Sequence, residues 1–116
     1  MRICVKADQK EVVFQLNDSI AADELHAQLP LEIDVESFGS NEKIFYPPKK
    51  LSVVDAPVAN ARTGSLAYYA PWGNVVMFYG DFGKASGLYE VGHAVSGAEH
   101  IAGLSGTIRV EKADMD

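Results

Sequence analysis

Few of the side chains that do chemistry stand in groupings that support it. The three histidines, His26, His93 and His100, show neither His-x-His nor His-x-x-x-His spacing, and a single cysteine, Cys4, cannot build a cysteine-rich zinc site; no metal and no cofactor is expected. Cys4 lies in an Ile-Cys-Val strand pattern without a basic cluster to lower its pKa, so it is expected as a buried small hydrophobe rather than a reactive thiol. Glu32, Asp34 and Glu36 recur at spacing two, which sets three carboxylates on one face of a strand. A hard cation takes six or so converging oxygens, more than one strand supplies, so a solvated face is expected there. Ser65, Ser86, Ser96 and Ser105 lack the Gly-x-Ser-x-Gly context of a nucleophile elbow. Gly80-Asp81-Phe82-Gly83 has the composition of a phosphate loop but opens no long helix, so no helix dipole stands behind its amides.

The densest feature is aromatic. The run from Gly64 to Asp81 holds Tyr68, Tyr69, Trp72, Phe78 and Tyr79, five of the chain's eleven aromatic rings. Two β-prone segments flank a Pro71-Trp72-Gly73-Asn74 turn. Such a run suits a core hairpin, and it equally suits the floor of an aromatic-lined cleft. Alternation puts Val75, Met77 and Tyr79 on one side of the second strand and Val76 and Phe78 on the other. One set fills a core, and the other meets a cleft or a covering element.

The elements that must hold these residues are short. Ile3 and Val5 alternate with polar neighbours, Asp8-Gln9-Lys10 turns, and Val12, Phe14 and Leu16 continue as the return strand. Asp18 or Ser19 caps a helix with Ile20, Ala21, Leu25 and Leu29 as its apolar positions, ended by Pro30; His26 lies on it, capping or facing solvent. Leu31, Ile33 and Val35 mark a half-buried strand, and Phe38 to Asn41 a turn. Lys43 to Tyr46 form a strand stopped by Pro47-Pro48, which cannot donate to a ladder. Ser52 to Val54 fit a short strand or a loop, and 56–63 is irregular. Gly64–Tyr69 and Val75–Tyr79 are strands, and 80–87 is a Gly-rich loop. Strand 88–93, a short helix from Ala98 to Ala102 in which His100 pairs with Glu99, and strand 107–111 follow. The polar tail from Lys112 to Asp116 is expected to fray. This pattern of seven or eight strands with two minor helices predicts a mainly β barrel or sandwich.

At 116 residues the chain is expected to be one domain, 1–116, able to bury roughly two thirds of its unfolded surface. The net charge of −6, with Lys49-Lys50 as the longest basic cluster, argues against nucleic acid and anionic membranes as partners. No apolar run is long enough to span a bilayer, the N-terminus has no signal-peptide core, and a lone cysteine allows no internal disulfide; a cytoplasmic protein is expected.

Three segments in order carry a family likeness. Gly64-Ser-Leu-Ala-Tyr-Tyr69, Gly73-Asn-Val-Val-Met-Phe-Tyr-Gly80 and Leu88-Tyr-Glu-Val-Gly-His-Ala-Val-Ser-Gly-Ala-Glu-His-Ile101 resemble the back half of the cyclophilin fold, with Val91 in place of the usual phenylalanine. With Leu29-Pro30, the strand Ser40 to Tyr46 and the segment Gly64 to Gly73, residues 12 to 111 more closely resemble small prokaryotic cyclophilin-like proteins of unsettled function. The resemblance implies a closed barrel of eight mostly antiparallel strands with a helix over each open end.

It does not bring the isomerase residues with it. Cyclophilin isomerases share a Phe-His-Arg segment leading to a Gln-Gly-Gly-Asp turn. The corresponding stretch here, Glu42 to Pro48, has no arginine, and no tryptophan or histidine follows Ile101. Of the three arginines, Arg2 and Arg109 sit in terminal strands, and only Arg62 lies in a loop that can reach a cleft. Prolyl isomerisation needs an apolar pocket and a donor to the amide nitrogen, which lowers a rotational barrier of about 20 kcal/mol. Phe45, Met77, Phe78 and Tyr79 are candidates for such a pocket and Arg62 for the catalytic donor. The favoured expectation is binding without chemistry, with Tyr46, Arg62, Tyr69, Trp72 and Phe78 lining a cleft for a small molecule or short peptide. A divergent peptidyl-prolyl isomerase is the alternative. A third possibility is a homodimer contact through Trp72 and the Pro-rich loop.

Overall fold

The computed structural model describes residues 1–113; the expectation of a fraying tail falls mostly on residues 114–116, outside them. Within the described part, Lys112 still belongs to the last strand and the Ala113 amide donates to the Arg2 carbonyl at 2.9 Å. Eight strands close into one barrel: β1 (Arg2–Ala7), β2 (Lys10–Leu16), β3 (Leu31–Phe38), β4 (Glu42–Phe45), β5 (Ser65–Tyr69), β6 (Asn74–Phe78), β7 (Leu88–Ser96) and β8 (Gly106–Lys112). Around the barrel the order is β1-β2-β7-β5-β6-β4-β3-β8, with every neighbouring pair antiparallel. Closure leaves no open edge to recruit another chain. Ser52 to Val54 form no strand.

Alternation decides what fills the barrel. Ile3, Val5, Val12, Phe14, Phe45, Leu66, Tyr68, Val75, Met77, Val91, Ile108 and Val110 point inward, and all are essentially inaccessible to solvent. The two helical elements plug opposite ends. Helix α1 (Ile20–Ala27) follows the Leu16 end of β2. The Ser19 hydroxyl accepts from the Ala22 amide at 3.1 Å, and Ala21, Ala22 and Leu25 are buried. His26, on the same helix, is half-buried. A 3-10 helix, Ala98–Gly103, follows the Ser96 end of β7, which pairs with the opposite end of β2, and it buries Ile101. Gly97 opens it at φ 80°, and a Cβ there would stand 2.0 Å from the Glu11 carbonyl oxygen, so only glycine fits the close approach of β7 to β2. Strand β7 also carries an irregular register against both neighbours, around Val95 against β2 and around Val91 against β5. Such bulges sharpen twist and help a sheet curl into a barrel.

Two connections shape the outside. Residues 46–64 first cross the α1 end of the barrel. Gln28 brackets Lys49 with two hydrogen bonds, the Glu24 carboxylate accepts from the Ser52 amide at 2.6 Å, and the Tyr68 hydroxyl accepts from the Leu51 amide at 3.1 Å. The chain then runs along the outer wall, where the Ala59 amide donates to the Leu88 carbonyl and Ala61 bridges to Gly83. With loop 79–87 it covers a second, smaller apolar cluster made of Ile44, Ala59, Ala61, Ala67, Val76, Phe78 and Leu88. Among the described residues no helix is long and apolar enough to cross a membrane.

Candidate functional site: an aromatic groove on the outer barrel wall

Ile44, Val76, Phe78 and Leu88 of the second cluster form the floor of a groove. Register builds it in three rows across the outer faces of the strands: Glu42 beside Phe78, Ile44 beside Val76 and Ala67, and Asn74 beside Tyr69 and Leu88. Ala67 is the smallest side chain of these rows. Phe38 at the end of β3, Trp72 in the β5–β6 turn, and Phe82 and Ala85 in loop 79–87 raise the walls, leaving a cavity of about 200 Å3. Trp72 meets Phe38 and Tyr69 edge to face, with ring centroids 5.2 and 5.5 Å apart, while Phe82 lies at 5.5 Å over Phe78. Trp72, Phe38 and Phe82 are each about half exposed (50%, 44% and 47%), so three of the five rings are held in a concave arrangement that still faces water. A pocket that is mostly apolar, with a few placed polar groups, is the usual form of a ligand site.

Tyr69, Trp72 and Phe78 of the sequence candidates therefore come together, and the others do not. Phe45 and Met77 are fully buried on the inner faces of β4 and β6, where they pack with Leu66, Tyr68 and Val75. Both are core residues, contrary to the expectation, because each occupies the inward parity of its strand. Tyr79 packs against the same inner cluster. Tyr46 is exposed and outside the groove: β4 ends at Phe45, so the outward parity that would have placed Tyr46 beyond Ile44 is lost before Pro47. Arg62 lines two separate polar depressions, one with Ser65, Glu90 and His93, the other with Asn60, Asp81 and Gly83; the second shares only Phe82 with the groove. Its backbone amide is held by the Ser65 hydroxyl at 3.0 Å.

The other residues lining the groove, Glu42, Ile44, Phe38 and Asn74 among them, were not site candidates in the sequence reading. Glu42 and Ile44 belong to the groove only through the β4–β6 register, and Phe38 only through the β3–β4 pairing that sets it opposite Glu42. Asn74 read as a turn residue; it is 1% exposed, lines the groove, and its side-chain oxygen has no hydrogen-bond partner. Glu42 is half-buried, and removal from water pushes its carboxyl pKa above the ordinary value. Among the described residues no cation stands within ion-pair distance of it. Lys43, next in sequence, points to the opposite face and donates to the Ser37 hydroxyl at 2.7 Å.

The remaining candidates for chemistry are accounted for elsewhere. Cys4 is buried, and burial with the neighbouring Glu11 charge raises its thiol to about 11, which suppresses the reactive thiolate. Glu32 faces Arg109 at 3.5 Å, and Asp34 accepts from the Thr107 hydroxyl. Arg2 donates to the Gln15 side chain. His100 lies 3.6 Å from Glu99. Among the described residues no three His, Cys, Asp or Glu side chains gather as a metal site.

Comparison with known proteins places this architecture. No curated protein sequence matches the chain. Among solved structures, the solution structure of the hypothetical protein AF2241 from Archaeoglobus fulgidus matches with a TM-score of 0.74 at 19% identity, over 97% of this chain and 95% of that one. At that identity the likeness concerns the fold. The sequence model of the cyclophilin-like family matches residues 5–112, nearly the whole barrel, and the chain belongs to that family.

Proposed function

We propose that this protein binds a small molecule or short peptide in the groove on the outer faces of β4, β5 and β6, and performs no covalent chemistry on it. The convergence of five rings on one cavity of about 200 Å3 carries this reading. An engineered cavity of about 150 Å3 accepts a benzene ring, so the groove suits one ring or one apolar side chain with its polar attachment. The titratable side chains lining it are Glu42 and Tyr69. A lone half-buried carboxylate and a phenol form no nucleophile–base pair.

The isomerase alternative depends on Arg62 as donor to the amide nitrogen, and Arg62 lies outside the groove. The expected result with a model Xaa-Pro peptide is no acceleration of cis–trans exchange. Acceleration that disappears in Arg62→Ala would replace the binding reading with the catalytic one.

Trp72 is the chain's one tryptophan, so its emission reports on the groove directly. Titration with fragments and short peptides is expected to give saturable changes that a Phe78→Ala variant loses. The absence of any response across such a set sinks the proposal. A homodimer seated on Trp72 would cover the same groove, so a dimer in light scattering that Trp72→Ala dissolves would also count against ligand binding.

A further inference from the structure

Building on the groove as a ligand site, we propose that its ligand is an organic cation: a protonated amine on a small apolar body, with Glu42 as counter-ion and the groove's rings as its walls. Three observations converge on this class.

The first is the charge pattern. Glu42 stands opposite Phe78 at one end of the groove, half-buried and without a cation within ion-pair distance among the described residues. No lysine, arginine or histidine lines the groove. Lys43 and Lys84 adjoin lining residues in sequence, but Lys43 is turned inward to Ser37 and Lys84 is not a lining residue. A carboxylate taken from water beside apolar walls is costly without a partner. A ligand ammonium supplies that partner, whereas a carboxylate or phosphate ligand would meet Glu42 and find no compensating cation.

The second is the buried amide at the other end. Asn74 lies four residues from Phe78 on β6, about 13 Å along the strand at ~3.3 Å per residue. Its side-chain oxygen is an acceptor with no partner. Asn74 Oδ1, the buried atom left without a partner, and the Glu42 carboxylate are both acceptors, and a donor on the ligand complements either of them.

The third is the wall chemistry. Aromatic faces carry partial negative charge and attract cations, tryptophan most strongly. The Phe38–Trp72 and Tyr69–Trp72 planes meet at 87° and 76°, which forms a corner, and Phe38 and Trp72 remain about half exposed within it.

The test uses the full chain and Trp72 emission, titrated at pH 7 with benzylammonium, benzyl alcohol and benzoate, which share a ring and differ in charge. Benzylammonium is expected to bind about tenfold tighter than benzyl alcohol, the gain of one charge-assisted contact, with benzoate weakest. In Glu42→Gln, checked for folding by thermal melt, benzylammonium should fall to the affinity of the alcohol and the alcohol should be unchanged. Wild type alone gives the same decision: the advantage of the ammonium should fade as pH drops through the ionisation of Glu42, the one carboxylate lining the groove. Equal affinity for ammonium and alcohol in wild type, or a preference that survives both Glu42→Gln and acid, overturns the cation assignment and leaves the groove a neutral-ligand site. No saturable response to any of the three overturns the groove as a ligand site altogether.

Discussion

Strands β4, β5 and β6 each carry two opposite environments on alternate residues. Their inner faces hold Phe45, Leu66, Tyr68, Val75 and Met77, which fill the barrel and have essentially no contact with solvent. Their outer faces hold Ile44, Ala67, Val76 and Phe78, which are just as buried as residues, yet Ile44, Val76 and Phe78 floor a cavity. The difference lies in what faces them. Inner side chains share one closed core with residues of the other strands and of the two helical plugs. Outer ones meet only two loops and three half-exposed rings, and a cavity remains between them. One backbone thus provides rigidity on one side and accessible apolar surface on the other.

The sharpest way to break this distinction is to truncate one ring on each side. Phe45→Ala should cost about 3–5 kcal/mol in denaturant unfolding, as a large cavity opens in a core that cannot collapse. Trp72→Ala, half exposed, should cost less than about 1 kcal/mol yet abolish groove binding measured by NMR shift changes. Equal stability losses would mean that the groove is part of the core. Gly97→Ala probes the barrel alone. Its Cβ would meet the Glu11 carbonyl at φ 80°, and a loss of about 1–3 kcal/mol is expected with ligand affinity unchanged in the folded protein.

A finer division concerns Tyr68 and Tyr69, adjacent but on opposite faces. Tyr68→Phe strands the Leu51 amide and should lower stability by about 1 kcal/mol without affecting the groove. Tyr69→Ala should weaken ligand binding instead, read in the same titration.

The smallest expected effect has the opposite sign. Burial raises the Glu42 carboxyl pKa in the folded state, so the folded protein holds that proton more tightly than the unfolded chain. The associated stability is present at low pH and is lost as pH rises through the folded pKa. Ionised Glu42 is consequently a liability at pH 7. Glu42→Gln should melt slightly higher than wild type at pH 7, and the gap should narrow as the pH is lowered toward 4. A variant less stable than wild type at pH 7 would reveal a stabilising partner for Glu42 and weaken its assignment as a ligand counter-ion.

Much of the fold was legible locally. The Ser19 cap, the Pro30 stop, the alternation in β1, β2 and β8 and the glycine-led turn before Ala98 all act over a few residues, and the elements formed where those signals stand. The ordered segments between 64 and 101 were enough to place the family, which the match over residues 5–112 shows. The site was less legible. Tyr69, Trp72 and Phe78 belong to one hairpin, so their proximity was legible from that hairpin. Phe45 and Met77 were misplaced because alternation names two faces without saying which is inside. Glu42 and Phe38 were missed because nothing near them in sequence records that β4 lies against β6.

Periodicity and capping residues were thus sufficient for a mainly β chain with a helix after the second strand, since these depend on interactions between near neighbours. The family resemblance already implied barrel closure, but the β4–β6 register and the course of residues 46–64 over the outer wall came only with the tertiary structure. They join segments some thirty residues apart, and side-chain packing across the closed barrel selects one register among those the local patterns allow. That register is what sets a half-buried carboxylate and an unpaired amide oxygen among five rings.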